Sequence, residues 1–304
     1  MFCRDLKKFI DAPRIFVGVT GSDCAAQEKT KGAKILGIHA EGPFLNLKRK
    51  GGMNANNIIE PDIQKLERLI AHSKGFLKIV TVAPELPGAT ELIRYAAEKG
   101  IMVSLGHTDA TYEQACAGIE AGATQATHAF NAMRPYNHRE PGVLGAVLNY
   151  EDVTCEMICD YIHLHPVTCE MIYRLKGADR IRMISDSENV AGIEISEYEA
   201  NGMMLYVKHG VVRLADGTIA GSTKTLMDGV KNLLNAGIPM GDVVKMASYN
   251  PAVSLKLENQ TGSIAVGKCA DLVVLNKEYE VEYTFVNGVC VYRKGLATPN
   301  SGKL

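Results

Sequence analysis

The sequence predicts an α/β fold of the (β/α)8 barrel type, and three observations predict it. Apolar runs of strand length alternate with longer segments of helical period, the pattern of parallel strands joined by crossover helices. Polar residues able to do chemistry sit at or just past the C-terminal ends of those runs. That rim is where barrel active sites are assembled, because side chains from separate strands converge there. No G-x-G-x-x-G turn is present, as a doubly wound dinucleotide-binding sheet would require.

In chain order, the strand candidates are 34–39, 77–82, 102–105, 125–127, 154–158 and 181–184, each a short run rich in Val, Ile, Leu or Thr. Helical segments separate them. Residues 62–73 (DIQKLERLIAHS) open on an aspartate cap, 89–99 (ATELIRYAAEK) end at Gly100, and 111–121 (TYEQACAGIEA) end at Gly122. Beyond Ile184 the regularity changes: a hairpin is expected over 203–207 and 211–214, then helices near 225–235 and 242–248. The last segment, 262–294, holds three β runs (ADLVVL, YTFV, VCVY), the last two joined by the tight turn Asn287-Gly288. Three strands make a poor domain alone, so a small β-sandwich completed by strands from elsewhere is expected. The domains expected are 1–258 and 259–304, with 297–304 disordered.

Composition narrows the partners. A chain of 304 residues with 46% hydrophobic and 22% charged residues can bury one large core and a small appendage. The formal net charge of -1 creates no field for nucleic acid or an anionic membrane, so a small molecule is the expected partner and any phosphate must be held locally. No apolar stretch reaches the roughly 20 residues of a membrane span, and MFCRDLKKFI lacks a secretory core. The expected location is the cytoplasm. Eight cysteines form no C-x-x-C pair and read mostly as buried apolar residues in a reducing compartment.

Among the rim residues His39, Glu41, His107, His128, Asp160 and Asp186, the set Glu41, His107 and His128 suits a metal. A carboxylate and two neutral imidazoles are a normal shell for Zn2+ or Fe2+ that leaves positions open for water and substrate. Singly, a histidine near a strand end is more often a hydrogen-bonded structural residue than a ligand. Their contexts, GIHAEGPF, SLGHTDAT and TQATHAFNAM, put them at separate strand ends. Asp186, in MISDSENVAG, suits proton transfer beside a metal-acidified water, and equally a turn or helix cap.

The segments KILGIHAEGPFLN, TVAPE, SLGHTDATYEQA, ATHAFNAMRPYNHREPGVLGA, ISDSENVAG, IAGSTKTLMDGVKNL, ASYNPAVSL and GSIAVGKCADLVVLN together resemble the N-acetylglucosamine-6-phosphate deacetylases of the amidohydrolase superfamily. The resemblance runs from about residue 33 to 292. It implies a metal-dependent (β/α)8 barrel with a small β-sandwich, usually a homodimer, that removes the acetyl group of the phosphorylated amino sugar. By the same resemblance one divalent ion is held by Glu41, His107 and His128, and Asp186 is the catalytic acid/base. Asn131 and Ala132 match the segment that holds the phosphate, Arg139 the phosphate-binding arginine that reaches the neighbouring subunit, and His163 the histidine that polarises the amide.

Counting back from Asp186 as the residue after strand eight makes 34–39 strand three. Strands one and two are then missing or reduced to a remnant such as 14–19 (RIFVGV) within a divergent 1–32. An H-x-H pair that strand one supplies in some members is absent, which single-metal members do not need. Met53 stands where the family usually has a substrate-contacting His, and Tyr161 where it usually has Gly. Two other readings stay open: an inactive truncated remnant, and a related amidohydrolase acting on another N-acetylated sugar or a cyclic amide.

Overall fold

The structure, a computed structural model, describes residues 35–295. Six parallel strands form one sheet in strict sequence order: β1 (Ile38–Glu41), β2 (Leu77–Val82), β3 (Met102–Leu105), β4 (Ala123–Ala126), β5 (Thr154–Ile158) and β6 (Ile181–Ile184). Helices α1 (Ile63–His72), α2 (Ala89–Glu98), α3 (Tyr112–Glu120), α4 (Gly142–Asn149) and α5 (Pro166–Lys176) fill the five crossovers. These are six consecutive staves of a curled, incomplete (β/α)8 barrel. Among the described residues β1 and β6 each have one neighbour in the sheet.

Local chemistry starts the helices where the sequence asks. Asp62 caps α1 by accepting Lys65 N–H, Thr111 and Gln114 form a reciprocal capping box on α3, and Pro166 opens α5 where its missing N–H costs nothing. Each helix then lays an apolar stripe on the sheet. Leu66, Leu92, Ile93, Leu144 and Ile172 from the helices meet Leu105, Met157 and Ile181 from the strands, all essentially inaccessible to water.

Two strand boundaries differ from the sequence reading. The first strand is Ile38–Glu41 instead of 34–39, because its register is set by β2, whose first residue Leu77 pairs with Ile38; the shift carries Glu41 into the strand. The fourth is Ala123–Ala126 instead of 125–127, because Ala123 pairs with Val103 of β3. Helices α4 (GVLGAVLN) and α5 (PVTCEMIYRLK) lie outside the helices expected from the sequence, although α5 carries start and stop signals in Pro166 and Gly177.

After β6 the chain builds a four-stranded antiparallel sheet, ordered β10-β9-β8-β7, from β7 (Glu197–Ala200), β8 (Met203–Lys208), β9 (Val211–Arg213) and β10 (Ile219–Ser222). Its small core is Ala200, Leu205 and Val212. The expected hairpin is β8–β9; the flanking β7 and β10 are additions. Next come α6 (Leu226–Asn235), α7 (Met240–Val244), a wide turn of helix at Lys245–Tyr249 and α8 (Asn250–Ser254). The chain closes its described part with a three-stranded sheet of β11 (Leu272–Leu275), β12 (Val281–Val286) and β13 (Val289–Arg293). Asn287 and Gly288 take the paired positive φ of 48° and 78° that a two-residue hairpin turn demands. No second sheet covers this one among the described residues, and Val273, Val274 and Val289 are exposed. The expected remnant 14–19 and the expected disordered tail 297–304 lie outside the described residues.

Candidate active site

Four polar residues occupy the same station on four strands. His107, His128, Asp160 and Asp186 each lie two residues past the end of β3, β4, β5 and β6, while Glu41 ends β1. His107, His128 and Asp186 have left-handed backbones, with φ of 47°, 29° and 49°. That conformation costs an L-residue roughly 1 to 2 kcal/mol. Three instances around one point mark a site where surrounding structure imposes a geometry the residues would not choose.

Glu41 Oε1 lies 2.7 Å from both His107 Nε2 and His128 Nε2, which are 3.1 Å apart. His107 Nδ1 is 2.8 Å from Arg49 O, a carbonyl that can only accept, so the proton sits on Nδ1 and Nε2 presents a lone pair. Two acceptor atoms, Glu41 Oε1 and His107 Nε2, thus face His128 Nε2 at one point, where a proton or a cation would be held between them. Burial works against charge on His128, but the Glu41 carboxylate pushes it up to about 9. Burial likewise opposes ionisation of Glu41, but the His128 charge and the two histidine hydrogen bonds hold it well below the usual carboxylate range. A proton on His128 satisfies the two acceptors locally, and a divalent cation would be shared by all three ligands. The three could hold a metal ion, their ligand atoms lying within 4.8 Å of one another.

Asp160 and His163 form a second unit. Asp160 Oδ1 accepts the backbone N–H groups of Ile162 and His163 at 2.8 and 3.0 Å, and Oδ2 lies 2.8 Å from His163 Nδ1. Burial raises Asp160, and the His163 side-chain and backbone hydrogen bonds outweigh it and hold the carboxyl low. His163 Nε2 is then left buried without a hydrogen-bond partner among the described residues, 3.6 Å from Asp186 Oδ2. Burial and the charge of Glu41 push Asp186 up against the opposing pull of His128, His163 and His107.

A cavity of about 270 Å3 gathers these groups. Glu41, His107, His128, His163 and Asp186 line it, as do Asn131, Ala132 and Met53. Asn131 Nδ2 donates to His128 O at 3.1 Å, and Ala132 is left-handed at φ 51°. Arg139 is exposed and outside the lining of this chain's cavity. Tyr161 is also outside: it accepts the left-handed backbone (φ 63°) that glycine favours, and its hydroxyl donates to Asn232 O of α6 at 3.0 Å.

Sequence reasoning missed the far wall, made by Gly51, Gly52, Thr218, Ile219 and Ala220. A Cβ on Gly52 would stand 2.7 Å from Ala220 Cα, so only glycine lets the β1 loop pass β10 there. The wall is fastened where Glu188 N–H donates to Ser222 O at 2.8 Å, just beyond Asp186. Also missed was Glu85 in TVAPE, which accepts from Asn46 Nδ2, Thr108 Oγ1 and Asp109 N and so ties three rim loops together. Asp109 adds ion pairs to Lys48 at 2.6 Å and Arg49 at 2.7 Å, locking the loop that carries His107 to the one whose carbonyl orients it.

Comparison with known proteins places this arrangement. A model described as "Amidohydrolase family" matches residues 6–291. The N-acetylglucosamine-6-phosphate deacetylase of Lysinibacillus sphaericus is 38% identical over 261 residues, covering 86% of this chain and 67% of the relative. That of Vibrio furnissii is 40% identical over 262 residues, covering 86% and 65%. A solved mutant of the Mycobacterium smegmatis N-acetyl-D-glucosamine-6-phosphate deacetylase, in complex with N-acetyl-D-glucosamine-6-phosphate, superposes with a TM-score of 0.80 at 37% identity, covering 84% of this chain and 68% of that one. The chain spans about two thirds of the length of these relatives. With a rim of polar residues on six parallel staves and a family match running almost end to end, this chain belongs to the amidohydrolase family and is a relative of its N-acetylglucosamine-6-phosphate deacetylases.

Proposed function

We propose that this chain hydrolyses the acetamido group of N-acetylglucosamine 6-phosphate to glucosamine 6-phosphate and acetate. The observation that carries the reading is the convergence of Glu41, His107, His128, His163 and Asp186 on one cavity of about 270 Å3. The names of the relatives supply the substrate.

Glu41, His107 and His128 would hold one divalent ion, Zn2+ or Fe2+, to which a carboxylate and two imidazoles are suited. Such an ion supplies Lewis acidity, acidifying a water and polarising a carbonyl oxygen. Asp186 takes the proton of the attacking water and returns it to the amine as the C–N bond breaks. Its place, lining the cavity and 3.6 Å from His163 Nε2, suits both transfers. Asp160 keeps a proton on His163 Nδ1 and turns Nε2 toward the cavity, where a second proton on that nitrogen would bond the acetamido oxygen.

Asn131 and Ala132 form the phosphate side of the cavity. No lysine or arginine lines it among the described residues, and the resemblance to the deacetylases supplies the cationic partner, Arg139 of the neighbouring subunit in a homodimer, whose guanidinium fork matches phosphate oxygens. We assign residues 1–258 to the barrel domain, with 1–32 its divergent part, and 259–304 to the C-terminal part of a small β-sandwich. The place of action is the cytoplasm, because a phosphate dianion does not cross hydrocarbon unaided.

The test is acetate release from N-acetylglucosamine 6-phosphate after chelation and after restoring Zn2+ or Fe2+, with the unphosphorylated sugar as control. Metal-dependent release that needs the phosphate supports the reading, and a metal-loaded protein that releases no acetate overturns it. Among the described residues β1 and β6 each have one neighbour, the observation that a rival, an inactive remnant, draws on. Metal-free, aggregated protein is the outcome that rival requires.

A further inference from the structure

His107 and His128 are aimed at the same point by different means. The His107 ring is fixed through its own nitrogen, Nδ1 donating to Arg49 O. The His128 ring has no such anchor: Nδ1 is buried and has no hydrogen-bond partner among the described residues. Its aim therefore depends on its backbone, which stands left-handed at φ 29°. Asn131 holds the carbonyl side, donating to His128 O from both its backbone N and Nδ2. Glu156 holds the amide side: Oε2 accepts His128 N–H at 3.3 Å, and its backbone O accepts Ala129 N–H at 2.9 Å.

Glu156 lies in the middle of β5, 5% exposed, on the inner floor of the barrel. Its other oxygen accepts from Gln125 Nε2 at 2.7 Å and faces His39 Nδ1 at 3.7 Å. His39 Nε2 continues to Thr81 Oγ1, and Thr81 to Thr127 Oγ1, each at 2.8 Å. An inward carboxylate in a strand whose residues are otherwise apolar or small is costly to bury. Here it fastens the loop that starts at His128 to a polar floor spanning β1 to β5.

We infer that Glu156 is a positioning residue for the cation site, acting through the backbone of His128. The inference rests on the proposal that Glu41, His107 and His128 bind a cation, and its experiment separates the two. Zn2+ affinity is measured by competition with a chromogenic chelator, beside thermal melts of metal-free protein. The variants are Glu156→Met, which keeps the bulk and removes the acceptor, Glu156→Ala, which relieves any crowding, and Glu156→Gln. A folding defect in Met or Ala alone leaves the other to read.

The two variants lacking an acceptor should lose Zn2+ affinity by about tenfold or more, as outer partners of metal ligands generally do. Glu156→Gln should recover it to within about threefold. Its amide oxygen takes the His128 N–H, and its nitrogen donates to the Gln125 oxygen, itself buried without a partner, once that amide turns over. Variants that melt lower yet bind Zn2+ as tightly as wild type make Glu156 merely structural and overturn the inference alone. Wild-type protein that takes up no Zn2+ overturns the cation site and this inference together.

Discussion

Asp186 stands beside the Glu41–His107–His128 cluster without belonging to it, and that separation can be tested. Asp186→Asn keeps the shape and removes the proton acceptor. Turnover should fall by about 100-fold to 10,000-fold while metal per chain, read by atomic emission, stays at the wild-type value. Asp160 gives a pH test. Its folded pKa lies below the unfolded one, so its contribution to stability is present above the unfolded pKa and is lost as the pH falls through the folded value. Asp160→Asn should therefore be less stable than wild type at pH 7, with the two urea midpoints converging below about pH 4. At this scale the sequence showed the residue types and hid their partners. Asp160 was visible as a rim residue but had no task until Ile162 N and His163 N folded back onto it. The Arg49 carbonyl that orients His107 was invisible, since every residue carries a carbonyl and only a loop conformation makes one special.

Elements place the cavity's walls. β10 and the Gly51–Met53 loop close the side opposite the barrel, and they touch at Gly52 and Ala220. Gly52→Ala should push β10 outward and lower kcat/KM by about tenfold or more, with Zn2+ content unchanged. At Tyr161, a left-handed position, the side chain ties the β5 loop to α6. Tyr161→Phe removes only that hydrogen bond and should cost about 1 kcal/mol in urea unfolding. Helices α1, α2, α3 and α6 were read to within a residue, because an apolar stripe of helical period is a local property. β7 and β10 were not, because a four-residue strand such as IAGS acquires its identity from the strand it pairs with.

Across the whole molecule, subunit exchange tests whether the site is shared between two chains. If Arg139 serves its neighbour, an Arg139→Ala chain and an Asp186→Asn chain are each inactive alone, yet a mixed dimer holds one site with both residues intact. Mixing them should restore activity, measured as acetate release against mixing ratio. An inactive Arg139→Ala chain with no gain on mixing places Arg139 in its own chain's site, and an active one places it outside the reaction. Sequence by itself determined the order of the six staves, the helices of clear apolar period and the kinds of residue on the rim, because periodicity and motif are local properties. Tertiary structure alone decided that Glu41 and two histidines share one point, that β10 walls the cavity and that Arg139 lies outside it. Those facts come from strand register and sheet curl, which sum pairings between residues far apart in the chain and leave no mark at any single position.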